Sequence, residues 1–386
     1  MAIKLFNMSF KSLGLSSQLL TVLKNEGYTK PYAIQKKAIP AIIDKNDVLG
    51  IAKTGSGKTA SYVLPIIMNM QGRIPSKNRH VNVLIIVPTR ELAIQVNEII
   101  NIFTSSLKNR IKSLAVFGGV SINTQMIAMQ GVEILVATPG RLLELVESNA
   151  MSLSEVQTLV IDEADKMLNL GFKDEMDKIF SLLPKKRQNL LFSATLSNDI
   201  DNFKQVLLNK PVVINIEETE EVSNVELINQ VAYFVSEDKK GPLLRHLIKN
   251  EDMHQVLVFV SSVKRADNVA KKLRTNGIDA WPIHSKKSQG ARTDLLTKFK
   301  HGKLRVLVAT DLISRGIDIE FLPYVVNYEL PRSPKDYIHR IGRTGRAENA
   351  GTALSLITPN DKQHFKVIQK KMGKPVTMID SENLEF

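Results

Sequence analysis

Residues Ala52–Thr59 read AKTGSGKT, and they lie between the apolar run Val48–Ile51 and a stretch with helical periodicity. A strand, a glycine-rich loop and a helix in this order are typical of a phosphate-binding loop. Its glycines permit tight backbone turns, and the helix N-terminus presents free N–H groups to anions. Lys58 can reach the terminal phosphates of a nucleotide, and Thr59 can ligate Mg²⁺. The predicted nucleotide-binding residues of the loop are Thr54, Gly55, Ser56, Gly57, Lys58 and Thr59.

Short apolar runs rich in β-branched residues extend this pattern along the chain. They predict buried strands, and amphipathic stretches such as Glu91–Phe103 and Gly171–Leu183 predict helices between them. Alternating strands and helices favour right-handed crossovers and parallel sheets, which is an α/β fold. Besides 48–51, strands are predicted at 81–87, 114–117, 134–137, 159–161, 190–192, 212–216, 231–235, 256–260, 280–283, 306–309, 325–328 and 353–357.

The length of 386 residues suits two domains, and a polar segment rich in glutamate separates two sets of predicted strands. We therefore predict an N-terminal domain at 1–216, a linker at 217–226 and a C-terminal domain at 227–386. The alternative is a solvated loop within one large domain. A single sheet of about twelve strands would exceed the usual size, which favours the linker.

Composition narrows the class of protein. The formal charge of +13 makes a polyanionic partner plausible, although a generally basic protein has the same balance. The absence of cysteine excludes a disulfide framework, a Cys-ligated zinc site and a thiol nucleophile. No apolar stretch approaches the roughly 20 residues of a membrane span, and the N-terminus lacks the order of a signal peptide. We expect a soluble, cytoplasmic protein without a membrane partner.

A second motif, the acidic segment Asp162–Asp165, directly follows a predicted strand that ends at Ile161. In enzymes with a phosphate-binding loop, this is the position of a carboxylate for the metal. Asp162 would then hold Mg²⁺, and Glu163 would orient and deprotonate the attacking water. Acidic residues at such a junction also serve as ordinary helix caps, and the loop upstream favours the catalytic interpretation.

These four residues spell DEAD, and the chain resembles the DEAD-box RNA helicases from about Phe10 to about Thr358, with the motifs in family order. The opening MSFKSLGLS and the segments Phe117–Asn123 and Asn327–Pro331 are most similar to the bacterial RhlE-type branch. The resemblance implies two tandem RecA-like domains of the P-loop NTPase type. It also implies local unwinding of short RNA duplexes, coupled to RNA-stimulated ATP hydrolysis, and roles in ribosome assembly or RNA turnover.

The resemblance also assigns roles to individual residues around the nucleotide. Adenine selection maps to Phe10, Tyr28, Lys30 and Gln35. The amide of Gln35 carries both a donor and an acceptor and can match adenine. Coupling of hydrolysis to strand separation maps to Asp165, Ser193, Thr195 and His339. From the second domain, Arg343 and Arg346 resemble arginine fingers and Asp318 the ribose contact, while a plain RNA-backbone patch is the alternative for the arginines.

Loops at the predicted strand ends form the expected RNA path. Helix N-termini, hydroxyl groups and arginines are the usual ligands of phosphate, and adjacent glycines allow close backbone approach. No aromatic row accompanies these loops, so binding independent of sequence is expected. The residues are Thr89, Arg90, Gly118, Gly119, Thr138 and Arg141, and the resemblance adds Gln289, Arg292 and Thr310.

The resulting hypothesis is that ATP and RNA each bind to both domains and favour the same closed state. Two rival functions stay open at this point. One is a DNA translocase with the same two-domain plan, and the other is a passive RNA-binding or annealing protein that retains the fold. Gln35 and the DEAD spelling disfavour the first, and the full set of catalytic residues disfavours the second.

Overall fold

Two parallel β-sheets organise the chain, as the alternation of apolar runs and amphipathic stretches predicts. The computed structural model describes residues 9–52, 55–73, 79–107, 111–195, 207–216, 228–311, 322–344 and 351–384. The chain divides into two units, Met1–Glu217 and Glu218–Phe386. Within the described residues, each unit is built around one seven-stranded sheet.

The first unit has the strand order β3-β4-β2-β5-β6-β1-β7, with every recorded pair parallel. Its strands are β1 (Val48–Ile51), β2 (Val83–Ile86), β3 (Ser113–Val116), β4 (Ile134–Ala137), β5 (Thr158–Ile161), β6 (Gln188–Ser193) and β7 (Val212–Asn215). Its helices are α1 (Ser17–Asn25), α2 (Ala33–Ile43), α3 (Lys58–Met70), α4 (Arg90–Thr104), α5 (Ile122–Ala128), α6 (Pro139–Glu147), α7 (Ala164–Asn169) and α8 (Lys173–Ser181).

The second unit has the order β10-β11-β9-β12-β13-β8-β14, again with parallel pairs. Its strands are β8 (Ile228–Phe234), β9 (Val256–Val260), β10 (Ala280–Ile283), β11 (Val306–Thr310), β12 (Tyr324–Asn327), β13 (Gly351–Ile357) and β14 (Thr377–Asp380). Its helices are α9 (Lys240–Asn250), α10 (Val263–Thr275), α11 (Gln289–Lys300), α12 (Pro334–Ile341) and α13 (Lys362–Met372).

Both faces of the central strands of each sheet are buried, which explains why those strands read as continuous apolar runs. Neighbouring residues of one strand enter different cores because their side chains point to opposite faces: Val48 packs in one cluster and Leu49 in the other. The second unit repeats this arrangement with Val256 and Leu257. Loops at the carboxyl ends of the parallel strands therefore gather at one edge of each sheet, where Lys58, Arg90 and Asp162 of the first unit lie.

The structure confirms the two parallel-sheet units and adds one strand that the sequence did not predict. β14 pairs with β8, and three of its four residues are exposed. It escaped prediction because an exposed edge strand lacks the continuous apolar run of a buried one. The predicted linker lies outside the described residues. Within the described residues, no helix combines the length and apolar composition that a membrane span requires.

Candidate nucleotide and RNA sites

The phosphate-binding loop joins β1 to α3, as the sequence predicts. Gly55 and Gly57 have φ angles of 80° and 83°, a left-handed conformation that glycine adopts without steric cost. Lys58 begins α3 and is buried, and its Nζ donates to the carbonyl oxygen of Ala52 across the loop at 2.6 Å. Nζ thus lies inside the turn, where a phosphate group would meet it. Thr54 lies outside the described residues.

Gln35 braces this loop from α2. Its Nε2 donates to the carbonyl oxygen of Gly57 at 3.1 Å, and its Oε1 accepts from the backbone N–H of Tyr32 at 2.9 Å. A Cβ at residue 57 would fall 2.4 Å from the Gln35 amide nitrogen, so only glycine fits here. Gln35 therefore contacts the loop directly, and its predicted selection of adenine stays a prediction.

The other predicted adenine-side residues flank α1 and α2. Phe10 is buried and lies edge-on to Tyr28, with ring centroids 6.4 Å apart. Tyr28 in turn lies edge-on to Phe103 of α4, at 5.6 Å. Lys30 is exposed. The two predicted aromatic residues thus form one apolar cluster with α4, while the stacking role stays a prediction.

The acidic motif follows β5. Asp162 is buried, and its Oδ1 accepts from the backbone N–H of Glu163 at 2.8 Å. Glu163 has φ 54° and ψ 46°, a conformation that is uncommon for a residue with a side chain. Its Oε1 pairs with Lys166 one helical turn on, whereas the buried Oε2 has no hydrogen-bond partner among the described residues. Burial raises the pKa of the Glu163 carboxyl, against the opposing charge of Lys166.

Tyr62 is a site residue that the sequence analysis missed. It is fully buried in α3, and its hydroxyl donates to Asp162 Oδ2 at 2.8 Å. Burial and the Asp162 charge raise the pKa of Tyr62 well above 10.0, while a hydrogen bond with the Thr59 side chain lowers it. One hydroxyl therefore contacts both predicted metal ligands. The available signal was the spacing of Thr59 and Tyr62, which puts them on the same face of the helix.

Thr59 and Asp162 suit a magnesium ion delivered with a nucleotide. Both offer oxygen, and Mg²⁺ usually binds through one or two protein oxygens together with phosphates and water. Tyr62 brings these two side chains to one place. The described residues contain no group of three or more His, Cys, Asp or Glu side chains that could hold a metal alone. The donor set therefore fits Mg²⁺ bound jointly by protein and nucleotide.

The predicted coupling residues of the first unit come together. The Thr195 hydroxyl donates to Asp165 Oδ2 at 3.1 Å, which links the end of β6 to the start of α7. The Ser193 hydroxyl donates to the Thr195 carbonyl at 2.8 Å and so closes the turn that carries Thr195. A displacement of either segment would thus reach the other.

Predicted RNA-contact residues from three segments also meet. β3, β4 and β2 are adjacent in the sheet, so the loops at their carboxyl ends lie side by side. The Arg90 guanidinium covers the backbone of Gly119 so closely that a Cβ there would collide with its Nη1. Gly119 has φ 83°, which also requires glycine. Thr89 caps α4, where its hydroxyl accepts from Leu92 N–H. Gly118 precedes Gly119 in the same loop.

Arg141 completes this group from α6, next to Thr138 at the helix N-cap. Its Nη2 donates to the Val120 carbonyl at 3.0 Å and its Nε to Glu144 at 2.7 Å. The buried Nη1 has no hydrogen-bond partner among the described residues. A buried guanidinium with a free N–H is suited to a phosphate oxygen.

In the second unit, the predicted RNA contacts lie at the corresponding sheet edge. Gln289 begins α11, and its Oε1 accepts from Arg292. Thr310 ends β11, which is the neighbour of β10. All three side chains are buried. The sequence order alone could not show that Gln289 orients Arg292.

The arginine-rich motif at 339–346 is only partly described. Arg340, which carried no predicted role, forms a two-point ion pair with Asp311 and donates to Asn327 and to the Glu329 carbonyl. Arg343 is buried and His339 half-buried. Arg346 and Asp318 lie outside the described residues. Arg340 therefore stabilises the second unit internally, and the finger role stays a prediction for Arg343 and Arg346.

Comparisons with known proteins agree with this geometry. The DEAD/DEAH box helicase family model matches residues 32–203, and the Helicase conserved C-terminal domain model matches residues 239–348. The chain is 37% identical over 378 residues to the DEAD-box ATP-dependent RNA helicase CshA of Geobacillus kaustophilus, covering 98% of this chain and 79% of that one. It is 37% identical over 385 residues to the ATP-dependent RNA helicase DBP2 of Chaetomium thermophilum, covering 98% and 69%.

A solved structure matches both units together. Dbp5 of S. cerevisiae, bound to RNA and ADP BeF3, has a TM-score of 0.84 and 29% identity, covering 97% of this chain and 96% of its own. The family models and the relatives above 30% identity decide the classification. This chain belongs to the DEAD-box family of ATP-dependent RNA helicases.

Proposed function

We propose that the first unit binds ATP through the phosphate-binding loop and hydrolyses it with Glu163 as the general base. The observation that carries the proposal is the buried Oε2 of Glu163 next to Asp162, which has no hydrogen-bond partner in the part of the chain that the structure describes. Lys166 occupies the other oxygen, so that Oε2 is the one left to accept a proton from water. A carboxyl whose pKa is raised by burial is a stronger base than an exposed one.

Thr59 and Asp162 would hold Mg²⁺ against the phosphates. The ion supplies neutralisation of the negative charge on the phosphate oxygens. Tyr62 orients both side chains, and Lys58 binds the terminal phosphates. Phe10, Tyr28, Lys30 and Gln35 select adenine in this proposal. Support for ATP comes from the Dbp5 neighbour, which binds ADP BeF3.

RNA is the proposed activator, bound through its sugar-phosphate backbone. The support is the convergence of Arg90, Gly119 and Arg141 at the carboxyl ends of neighbouring strands, where Nη1 of Arg141 has no partner within the described ranges. The second unit contributes Gln289, Arg292 and Thr310. The Dbp5 neighbour is itself bound to RNA. Since these contacts are ionic or to backbone, affinity should fall steeply with salt.

Coupling requires both units in our proposal. Arg343 and Arg346 act on the nucleotide of the first unit, Asp318 binds its ribose and His339 meets the acidic motif. ATP and RNA then favour the same state, so each strengthens binding of the other through linkage. Closure bends one strand of a short duplex, and phosphate release reverses it. Thr195 and Asp165 transmit the change within the first unit.

Four finer assignments are also proposals. The segments Phe117–Asn123 and Asn327–Pro331 support the RhlE-type branch, although the relatives named above are CshA and DBP2 proteins. Ribosome assembly or RNA turnover is the proposed cellular setting. A cytoplasmic location is consistent with the cysteine-free composition. The domains are proposed at 1–216 and 227–386, with a linker between them.

The experiment is a measurement of nucleoside triphosphate hydrolysis with ATP or GTP, each alone and with single-stranded RNA, duplex RNA or single-stranded DNA. We expect hydrolysis of ATP that requires RNA, and loss of it in Lys58→Ala. Equal stimulation by DNA would instead indicate the DNA translocase. RNA annealing that is independent of nucleotide and unchanged in Glu163→Gln would indicate the passive RNA-binding protein.

A further inference from the structure

The positive charge of the chain is concentrated around β10 in the second unit. Residues 263–305 contain twelve Lys or Arg and three Asp or Glu, a surplus of nine within a chain whose net charge is +13. Several of these cations are exposed and have no recorded ion pair among the described residues: Lys264, Lys271, Lys272, Lys286 and Lys303. A surface of this kind attracts polyanions.

Trp281, the one tryptophan of the chain, stands within this basic region. It is 44% exposed on β10, which is an edge strand of its sheet. The indole N–H donates to Asp279 Oδ1 at 2.9 Å. The Arg274 guanidinium carbon lies 4.9 Å from the ring centroid, and Arg274 Nη1 donates to the Ala280 carbonyl. The ring is thus fixed by its N–H and by the cation beside it, while much of its surface faces solvent.

A fixed, exposed aromatic ring among exposed lysines has the chemistry of a stacking platform. Bases stack on aromatic side chains in proteins that bind single strands without sequence preference, and neighbouring cations bind the phosphates. Because Trp281 is already oriented, stacking would cost little side-chain entropy. Trp281 lies two residues, or roughly 7 Å, before the carboxyl end of β10. From that end the chain continues to Gln289, one of the predicted RNA contacts.

We propose that Trp281 and Arg274, with the surrounding lysines, form an additional binding site for single-stranded RNA on the β10 edge of the second unit. The site takes a nucleotide of a strand that extends beyond the backbone path of Gln289, Arg292 and Thr310. The proposal rests on RNA binding by this unit. The competing explanation is that Arg274 and Trp281 only protect the edge strand from pairing with another chain.

The single tryptophan permits a direct test in the unmodified protein. Oligouridylates of roughly 6 and 20 nucleotides are titrated, and their binding is followed by anisotropy of labelled RNA. Tryptophan emission and its quenching by acrylamide are recorded alongside. We expect the longer RNA to change the emission and to shield Trp281 from acrylamide, and the shorter RNA to do so much less.

Variants distinguish the two explanations. Trp281→Ala should weaken binding of the longer RNA about fivefold, the lower end for loss of one base–aromatic stack, and more than it weakens the shorter RNA. Trp281→Phe should retain most of the affinity. The control is Val367→Ala, which removes another exposed apolar side chain, on α13. It should leave both affinities unchanged.

Two results would overturn the proposal. In the first, the longer RNA binds with full anisotropy change but leaves the tryptophan emission and its quenching by acrylamide unaltered. In the second, Trp281→Ala binds the longer RNA as tightly as Val367→Ala does. Either result would leave the helicase function intact and favour edge protection or a protein partner. Failure of both oligonucleotides to bind would overturn the platform and the proposed function together.

Discussion

The two units have the same strand order, yet the side chains that follow corresponding strands have different partners in the two units. β8 corresponds to β1, and a lysine begins the following helix in both: Lys58 in α3 and Lys240 in α9. Both lysines are buried. Lys58 donates to a backbone carbonyl, whereas Lys240 Nζ lies 3.3 Å from Glu237, 3.7 Å from Asp361 and 5.8 Å from the Tyr328 ring centroid.

The carboxylates that follow β5 and β12 also differ in their partners. β12 corresponds to β5, so Tyr328 and Glu329 take the places of Asp162 and Glu163. Burial raises the pKa of Glu163. Burial acts on Glu329 in the same direction, but hydrogen bonds from Ser261 and Arg265 outweigh it and lower the pKa. The second unit thus fills both matched positions with ion pairs. In the first unit, Lys58 donates to a backbone carbonyl, and Glu163 keeps one buried oxygen, Oε2, without a hydrogen-bond partner among the described residues.

The largest test of this comparison exchanges the matched carboxylates for amides. Glu163→Gln should reduce RNA-stimulated ATP hydrolysis by roughly 10²–10⁴, the usual contribution of a general base, since an amide cannot take the proton. Glu329→Gln should leave the rate within a few fold. Steady-state ATPase assays at saturating RNA measure both. Similar rates in the two variants would contradict the distinction between Glu163 and Glu329.

The second test exchanges the matched lysines for methionine, which has a similar volume. Lys58→Met should weaken nucleotide binding by roughly 10- to 100-fold, because it removes a charged hydrogen bond to phosphate. Titration of a fluorescent ADP analogue measures this change.

Lys240→Met should keep the nucleotide affinity. It should change the free energy of unfolding by only about 1 kcal/mol, because the carboxylates that it leaves behind, Glu237 and Asp361, are 52% and 31% exposed and stay solvated. Urea denaturation provides the value. A loss of nucleotide binding in Lys240→Met would show that the second lysine also serves a ligand.

The third test uses one buried tyrosine from each unit. Tyr62→Phe removes a hydroxyl that donates to the Asp162 carboxylate and should cost about 1.5–3 kcal/mol of unfolding free energy. Tyr337→Phe removes a neutral hydrogen bond with Ser355 and should cost about 0.5–1.5 kcal/mol. Both are measured in urea. Equal costs would mean that the Asp162 contact carries no charge-assisted stabilisation.

The smallest expected effect concerns acid stability of the second unit. The folded-state pKa of Glu329 lies below its ordinary value of 4.5, so its ionised form stabilises the fold. This stabilisation is fully present above pH 4.5 and is lost as the pH falls through the folded-state value. Glu329→Gln should therefore flatten the stability profile below pH 4.5, as measured by thermal unfolding at several pH values. An unchanged profile would contradict it.

The sequence predicted the buried strands and the glycine-rich phosphate-binding loop because both have local signatures. The resemblance to the helicase family grouped Thr195 with Asp165, and the loops at the strand ends grouped Arg90 with Gly119; the structure shows that each pair is in contact. The sequence analysis missed Tyr62, because a tyrosine in an apolar helix face reads as core until the facing strand is known. Its predictions for Thr54, Asp318 and Arg346 lie outside the described residues.

Arg340 was missed for a related physical reason. Three arginines follow one another in the same motif, and charge alone does not separate a side chain that pairs internally from one that meets a ligand. The partner, Asp311, lies 29 positions earlier in the chain and comes near only through the packing of the sheet. Such assignments need the tertiary structure.

The left-handed backbone of Glu163 has an evolutionary consequence. A φ of 54° disfavours most side chains by about 1–2 kcal/mol and suits glycine or asparagine. A laboratory selection for heat resistance alone would accordingly tend to replace this glutamate. With Glu163 as the proposed general base, the selected proteins would be more stable and would no longer hydrolyse ATP. On this proposal, stabilising substitutions that keep the activity are to be sought at positions other than 163.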